Sequence, residues 1–240
     1  MKISKTHLTI FVLSLLFVAC SDPEPETPSP EEIVTQSADR MSSLPGFQFT
    51  IQNSGADVIL DEASALALGQ AAGYYSAPDK AQAEVNVLTP GFATSVNVIS
   101  IGDTQWQTNP LTAQWAELPP QWGFNPAALF DAETGIQAIL ISSLSELELI
   151  GTEKIEEGPD IELYAISGNL EGSGLAELSQ GLIGSGSMTV RLWIAPESYE
   201  LHRAIITDPN IAGDEPIEWQ VDFGQFGFAP DIKPPVIEGS

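Results

Sequence analysis

Cys20 is the only cysteine of this 240-residue chain, and its surroundings indicate the chemistry of its thiol. Lys2 and Lys5 precede an apolar run from Leu8 to Val18, which ends at the small residue Ala19. This order is typical of a secretory signal, because the run is shorter than the roughly 20 apolar residues that a membrane-spanning helix needs. A lone cysteine also excludes an internal disulfide and a multi-cysteine zinc or iron–sulfur site.

The four residues Phe17-Val18-Ala19-Cys20 are similar to a bacterial lipobox, with Phe17 at the position where leucine is usual. In proteins with a lipobox the cysteine sulfur receives a diacylglyceryl group, the signal is cut before the cysteine, and the new amino terminus is acylated, for example with palmitate. We therefore expect a lipoprotein signal peptide over residues 1–19 and lipidation of Cys20. An ordinary signal peptide that leaves Cys20 as a free thiol is the alternative.

The segment after Cys20 is rich in proline and acidic residues up to Glu32 and holds no large apolar side chain, which predicts an extended tether over residues 20–32. Loss of residues 1–19 removes two of the eight bases and none of the 33 acids, so the mature chain has a formal charge of −27. Phosphate backbones and anionic headgroups repel such a body. We therefore expect no nucleic-acid partner, and a membrane attachment that depends on acyl chains.

His202 is the only histidine outside the signal peptide, and catalytic patterns around it are absent from the sequence. It falls in a predicted strand where Leu201, Arg203 and Ile205 face one way and His202 the other. No G-x-S-x-G nucleophile motif and no EF-hand spacing occurs. We expect no catalytic residue, no metal and no cofactor, while a hydrolase that uses two carboxylates stays open as an alternative.

Alternation of apolar and polar residues, which is typical of strands with one buried face, recurs along the chain. It is clearest in four segments, at 47–52, 83–87, 188–194 and 218–223, and further strands are expected over 70–76, 94–101, 104–108, 146–155, 161–168 and 201–208. Turn residues separate these strands closely. The short connections predict hairpins, and hence a mainly antiparallel and strongly twisted sheet.

Helices are expected in four places, over 33–40, over 126–130, from Asp131 or Thr134 to Leu144, and over 175–182. The second begins with Asn125 as a cap and Pro126 in its first turn, both favoured there. The chain shows no internal repeat and no break in composition after Ile33. We therefore expect a single α+β domain over residues 33–236, followed by a short tail over 237–240.

Several stretches resemble the LppX/LprA/LprF/LprG family of lipid-binding bacterial lipoproteins. The run from Trp115 through Trp122 and Phe124-Asn125-Pro126 to Leu140 is similar to the family's tryptophan-containing strand and the helical segment after it. Residues 146–168, 190–194 and 201–206 look like its later strands, and Pro234-Pro235 like its tail. The similarity runs in order from Arg40 to Val236.

The resemblance implies a curved antiparallel half-barrel with a few helices packed on its concave face and an apolar cavity between them. It further implies a protein anchored at the extracytoplasmic face of the cell membrane, without enzyme activity. Such a protein would hold the acyl chains of a lipid or glycolipid in the cavity and hand it over at the cell envelope, with a membrane lipid exporter as a partner. The apolar residues that we expect to line the cavity are Val85, Val87, Val96, Val98, Ile136, Ile139, Leu140, Leu163, Val190, Leu192 and Val221.

Two questions stay open at the level of sequence. A cavity wall and a packed core have the same apolar pattern, so a structural or interaction lipoprotein of the envelope with a solid core and no ligand is the alternative. The acidity of the chain favours neutral glycolipids or acylglycerols over anionic lipids, unless Arg191, Arg203 or Lys154 lies at the mouth of the cavity.

Overall fold

The computed structural model describes residues 27–61, 66–119, 125–156, 158–209 and 215–237. Within these ranges the chain forms one antiparallel sheet of 12 strands, three α-helices and one 3-10 turn. The helices are α1 (Pro30–Ser43), α2 (Ile136–Ser143) and α3 (Ser173–Leu178), and the 3-10 turn covers Ala128–Phe130. The strands are β1 (Gly46–Gly55), β2 (Ile59–Asp61), β3 (Leu66–Ser76), β4 (Lys80–Thr89), β5 (Phe92–Ile101), β6 (Thr104–Thr108), β7 (Trp115–Leu118), β8 (Leu144–Glu153), β9 (Leu163–Glu171), β10 (Ser187–Ile194), β11 (Leu201–Asp208) and β12 (Ile217–Gly224).

The sheet is open and curved, and its strands follow the order β7-β6-β5-β4-β3-β1-β12-β11-β10-β9-β8, with β2 paired to β3. Most neighbours in space are neighbours in sequence, because short turns favour hairpins. The pairing of β1 with β12 joins the two halves of the chain at the centre of the sheet. Gly73 on β3 permits close pairing with β4, since a Cβ there would lie 2.0 Å from the carbonyl oxygen of Gln82.

The helices pack on one face of the sheet, which carries Phe47 and Phe49 and is called the inner face below. Helix α1 begins with a capping box, because the Ser29 hydroxyl accepts from the Glu32 N–H (3.2 Å) and the Glu32 carboxylate accepts from the Ser29 N–H (2.9 Å). Pro30 fits the first turn, where its missing N–H costs nothing. Ile33 and Met41 of α1 join the core.

An aromatic cluster fixes the 3-10 turn on the inner face. The Phe130 ring lies 5.1 Å from that of Phe47 and 4.8 Å from that of Phe49, measured between centroids. Tyr75 and Phe223 complete the cluster at 5.6 and 6.1 Å from Phe130. Burial raises the pKa of Tyr75 to about 12, with the negative charges of Asp131 and Asp79 adding to the effect.

The opposite face, called the outer face, carries a second and smaller apolar cluster of Leu163, Ala165, Trp193 and Ala195. Glu153 of the edge strand β8 is tied to β10 beside this cluster. Its carboxylate accepts from Arg191 at 2.5 Å and from the indole N–H of Trp193 at 3.1 Å. The guanidinium of Arg191 lies 4.8 Å from the centre of the Trp193 ring, so β8 is held across β9.

The α+β fold, the antiparallel sheet and the packing of helices on its concave face confirm the expectation from the sequence. Several details differ. The segment 126–130 forms a 3-10 turn over Ala128–Phe130 rather than an α-helix, α1 covers Pro30–Ser43 instead of 33–40, and α3 covers Ser173–Leu178 instead of 175–182. Leu201 does not share a face with Arg203 and Ile205, because a β-bulge between β10 and β11 turns Leu201 into the inner core.

Candidate functional site

A row of apolar side chains crosses nine strands on the inner face, one residue on each strand. Each member lies opposite the next in the strand register. In order from β8 to β5, the row consists of Leu149, Ile166, Leu192, Ala204, Val221, Ile51, Ala71, Val85 and Val96. With about 4.8 Å between strands, the row extends roughly 38 Å along the curved sheet.

The burial of this row changes at the centre of the sheet. From Ile166 to Val221 its side chains are buried, with 0–6% of their surface exposed. The four members that follow, Ile51, Ala71, Val85 and Val96, are only half-buried and are called the open strip below. The open strip covers four adjacent strands, or roughly 14 Å between the outermost two. Apolar surface on the concave side of the sheet is therefore left partly uncovered.

Small and branched side chains surround the open strip. On β4 the side chains of Ala83 and Val87 lie on the same face and are buried, and Val98 on β5 is half-buried opposite Ala83. On β3, Gly73 and the strip residue Ala71 carry little or no side-chain volume, in contrast to Phe47 and Phe49 on the neighbouring strand β1. The floor of this half of the sheet is thus shallow and apolar.

The other half of the inner face is closed by the helices. A crevice of about 20 Å³ remains between α1, α2 and the sheet, and its lining includes Met41, Ile136 and Phe223. Gln137 also lines the crevice and is buried, and its Oε1 atom has no hydrogen-bond partner in the described ranges. This volume admits a water molecule and nothing larger.

Most of the residues predicted to line a cavity lie on one face of the molecule. Val85, Val87, Val96, Val98, Val190, Leu192 and Val221 all point to the inner face, and Ile136 and Ile139 of α2 are buried against it. The first four lie in the half that contains the open strip, and the remaining five lie in the helix-covered half. Cys20 and the side chain of Leu140 lie outside the described part of the chain. Whether any of these residues contacts a ligand stays a prediction.

Leu163 is the exception and corrects the sequence-based prediction. It is buried in the outer cluster with Trp193, so it cannot line a space between the sheet and the helices. The reason is that β9 is apolar on both faces near this point, with Ala165 on the outer side and Ile166 on the inner side. Alternation therefore gives no basis for choosing the face of Leu163.

The sequence alone does not predict that Ile51 and Ala71 belong to the open strip, or that Asn53 and Trp219 lie beside it. The missing information is the pairing of β1 with β3 and β12, which aligns Ile51 with both Ala71 and Val221. Trp219 lies opposite Asn53 in the next row. Trp219 is 4% exposed, and within the described part of the chain neither its indole N–H nor the Asn53 Oδ1 has a hydrogen-bond partner.

The basic side chains offer little free positive charge near the inner face. Of the six bases after residue 20, five form ion pairs with carboxylates: Arg40, Lys154, Arg191, Arg203 and Lys233. Arg191 and Arg203 belong to the outer face, since they alternate with Leu192 and Ala204 of the inner row. They are therefore not available to hold an anionic group on the inner face.

His202 is half-buried, and its ring stacks edge-on against Phe226 with 4.9 Å between centroids. Burial lowers the pKa of His202 below 6.5, while the nearby charge of Glu200 acts in the opposite direction. Within the described ranges no three histidine, cysteine or acidic residues come together in a way that could hold a metal ion.

A shallow groove of about 450 Å³ lies on the outer face over β9, β10 and β11. Its lining mixes hydroxyl groups of Ser167, Thr189 and Thr207 with Arg191 and the edge of Trp193. Because this surface presents many polar groups, acyl chains would gain less there than on the inner face.

No helix in the described part of the chain is long and apolar enough to span a bilayer.

Known proteins share this architecture. LprF from Mycobacterium bovis superposes with a TM-score of 0.63 at 15% identity, covering 87% of this chain and 97% of LprF. The lipoprotein LppX from Mycobacterium tuberculosis superposes with a TM-score of 0.58 at 18% identity, covering 89% of this chain and all of LppX. No curated protein matches the chain in sequence. The family model described as LppX_LprAFG lipoprotein matches residues 29–227. The chain therefore belongs to the LppX_LprAFG lipoprotein family.

Proposed function

We propose that this protein is a membrane-anchored lipoprotein that binds the acyl chains of a lipid on its inner face and carries the lipid at the cell envelope. The observation that carries the proposal is the open strip. Ile51, Ala71, Val85 and Val96 form a continuous apolar surface that is partly exposed although it lies on the concave side of the sheet. Removing an acyl chain from water onto such a surface is favourable by about 0.8 kcal/mol for each buried CH₂ group.

The charge distribution supports a neutral headgroup. Five of the six bases outside the signal peptide are paired with carboxylates, and both Arg191 and Arg203 lie on the outer face. An anionic headgroup would find no arginine on the inner face of the described sheet, and the strongly negative protein would repel it. Neutral glycolipids and acylglycerols fit this environment.

Attachment to the membrane would depend on Cys20 at the end of the Pro/Glu-rich tether. Acyl chains on this residue would keep the domain at the extracytoplasmic face of the cell membrane, where two chains anchor a protein stably and one does not. In this position the domain would receive a lipid from the membrane or from a membrane lipid exporter and release it to an acceptor. No group needed for bond-breaking chemistry enters this cycle, so the proposed role is binding and transfer rather than catalysis.

A structural lipoprotein with a solid core is the second candidate, favoured by the tight packing of the helix-covered half. There Ile166 and Leu192 are almost fully buried, and the crevice beneath α1 has space for only a water molecule. If the open strip is closed in solution in the same manner, the protein has no acyl site.

A pair of tryptophan substitutions on β3 separates these two functions. Ala71 belongs to the open strip, whereas its neighbour Ala72 points to the outer face opposite Thr50 and Glu84. Ala71→Trp should fill the strip and abolish saturable uptake of a fluorescent fatty-acyl probe, while Ala72→Trp should leave uptake unchanged. If wild-type protein takes up no probe, or if Ala71→Trp binds it as well as wild type does, the proposal is wrong.

A further inference from the structure

Two buried polar groups of the inner face have no hydrogen-bond partner among the residues that the structure describes. Trp219 is 4% exposed, and its indole N–H is a buried hydrogen-bond donor. The Oδ1 atom of Asn53, which faces Trp219 in the register of β1 and β12, is a buried acceptor. Buried polar groups are satisfied in more than about 90% of cases, so two adjacent exceptions require a physical reason.

The surroundings of the pair provide no other polar group on these two strands. The residues that share the inner face with Trp219 on β12 are Ile217 and Val221, and its neighbour on β11 is Ile206. On β1, Ile51 occupies the position next to Asn53 on the same face. The next inner-face position on β11 is Asp208, whose buried carboxylate accepts from the Gly184 N–H at 2.7 Å. The other inner-face neighbours named here are apolar.

The pair lies directly beside the open strip. Same-face neighbours along a strand are about 7 Å apart, so Trp219 is one step from Val221 and Asn53 is one step from Ile51. From Ile51 the open strip leads outward through Ala71 and Val85 to Val96. A ligand whose polar group lay at Trp219 and Asn53 would have its apolar chain on the open strip.

We propose that Trp219 and Asn53 bind the polar linkage of the lipid, an ester carbonyl next to a free hydroxyl as in an acylglycerol. The indole N–H donates to the ester carbonyl oxygen, and the Asn53 Oδ1 accepts from the hydroxyl. This inference rests on the proposed lipid-binding function and adds to it the class of linkage that the site selects. Both groups of the ligand are neutral, which agrees with the absence of inner-face arginines in the described sheet.

The test compares two probes that differ only in the linkage. Dioleoylglycerol has two ester carbonyls, and its diether analogue has the same chains and hydroxyl but no carbonyl. Binding is measured on the full chain carrying Cys20→Ser, purified without detergent. We expect wild-type Trp219 to favour the ester by about 2–13-fold, the range of one neutral hydrogen bond. Trp219→Phe, which keeps an aromatic ring and removes the donor, should abolish this preference.

Matched variants isolate the two contacts. Trp106→Phe makes the same substitution at a buried tryptophan that pairs with Ile99 on the outer face, and it should keep the ester preference. Asn53→Ala should weaken binding of dioleoylglycerol by a similar factor and should not affect an analogue whose hydroxyl is O-methylated. In ¹⁵N-tryptophan-labelled protein, the Trp219 indole resonance should shift on addition of the ester and not on addition of the diether, a readout that needs no variant.

Equal affinity of wild type for ester and diether would overturn the inference, as would an equal loss of both affinities in Trp219→Phe. Either result would mean that Trp219 and Asn53 hydrogen-bond to one another or to water, and lipid binding itself would stand. If neither probe binds wild type, the proposed function fails, and the linkage site fails with it.

Discussion

Val85 is the position at which the open strip can be tested with the smallest change of shape. Val85→Thr replaces one methyl group by a hydroxyl and keeps the branched side chain. Val85 is half-buried on the inner face, between Ala71 and Val96 in the strand register. Without a ligand the new hydroxyl stays in contact with water, so we expect the free energy of unfolding to change by no more than about 0.5 kcal/mol.

The expected effect on binding is larger. When an acyl chain covers the strip, the hydroxyl loses its water without gaining a partner, which costs about 1–3 kcal/mol in proteins. At about 1.4 kcal/mol for each tenfold change, this corresponds to a loss of roughly 5–150-fold in affinity. The assay is a titration with a fluorescent fatty-acyl probe, accompanied by thermal unfolding of the same preparations.

Val190→Thr is the matched control, because Val190 lies on the same face and is 3% exposed in the helix-covered half. There the hydroxyl is buried in the free protein, so the cost of about 1–3 kcal/mol falls on folding. The melting temperature should then drop by roughly 2–12 °C, with probe affinity unchanged in the folded protein. A drop of the same size in Val85→Thr, together with unchanged probe affinity, would show that Val85 is core and would refute the reasoning.

Three further outcomes are expected. Cys20→Ser should move the protein from the membrane fraction to the soluble fraction, and unchanged partitioning would contradict the acyl anchor. Phe130→Ala should lower the free energy of unfolding by about 3–5 kcal/mol, because Phe130 is 1% exposed within the aromatic cluster. Denaturant titration measures this loss, and a clearly smaller value would contradict tight packing of the cluster. His202 has a lowered pKa, so the unfolded chain binds its proton more readily and stability should fall as the pH decreases through about 6.5. His202→Gln should reduce this loss between pH 7.5 and 5.5, and an identical pH dependence in both proteins would contradict it.

The strands of this sheet are largely predictable from the sequence, because many of them alternate between polar residues on the solvent-exposed face and apolar residues on the buried face. The predicted ranges 104–108 and 201–208 coincide with β6 and β11. The faces of Val85, Val87, Val96 and Val98 also follow from alternation, since β4 and β5 pair in register without a bulge. Where a strand is apolar on both faces, as β9 is at Leu163, alternation does not show which face of the sheet a side chain occupies.

The candidate site depends on pairings that no local pattern contains. Ile51 and Val221 become neighbours only because β1 pairs with β12, and the same pairing places Asn53 opposite Trp219. Strand β2, at Ile59–Asp61, is too short to show a period, so the sequence does not predict it. Leu201 is displaced to the inner face by a bulge, which depends on the fit between β10 and β11.

Native mass spectrometry of the full chain carrying Cys20→Ser, purified without detergent, is the most direct test of lipid binding. We expect the protein to carry a neutral lipid from its host, visible as an added mass that organic extraction removes. Incubation with dioleoylglycerol should produce the corresponding one-to-one adduct. The mass of the polypeptide alone in preparations from several hosts, with no adduct after incubation, would contradict the proposal that the inner face binds acyl chains.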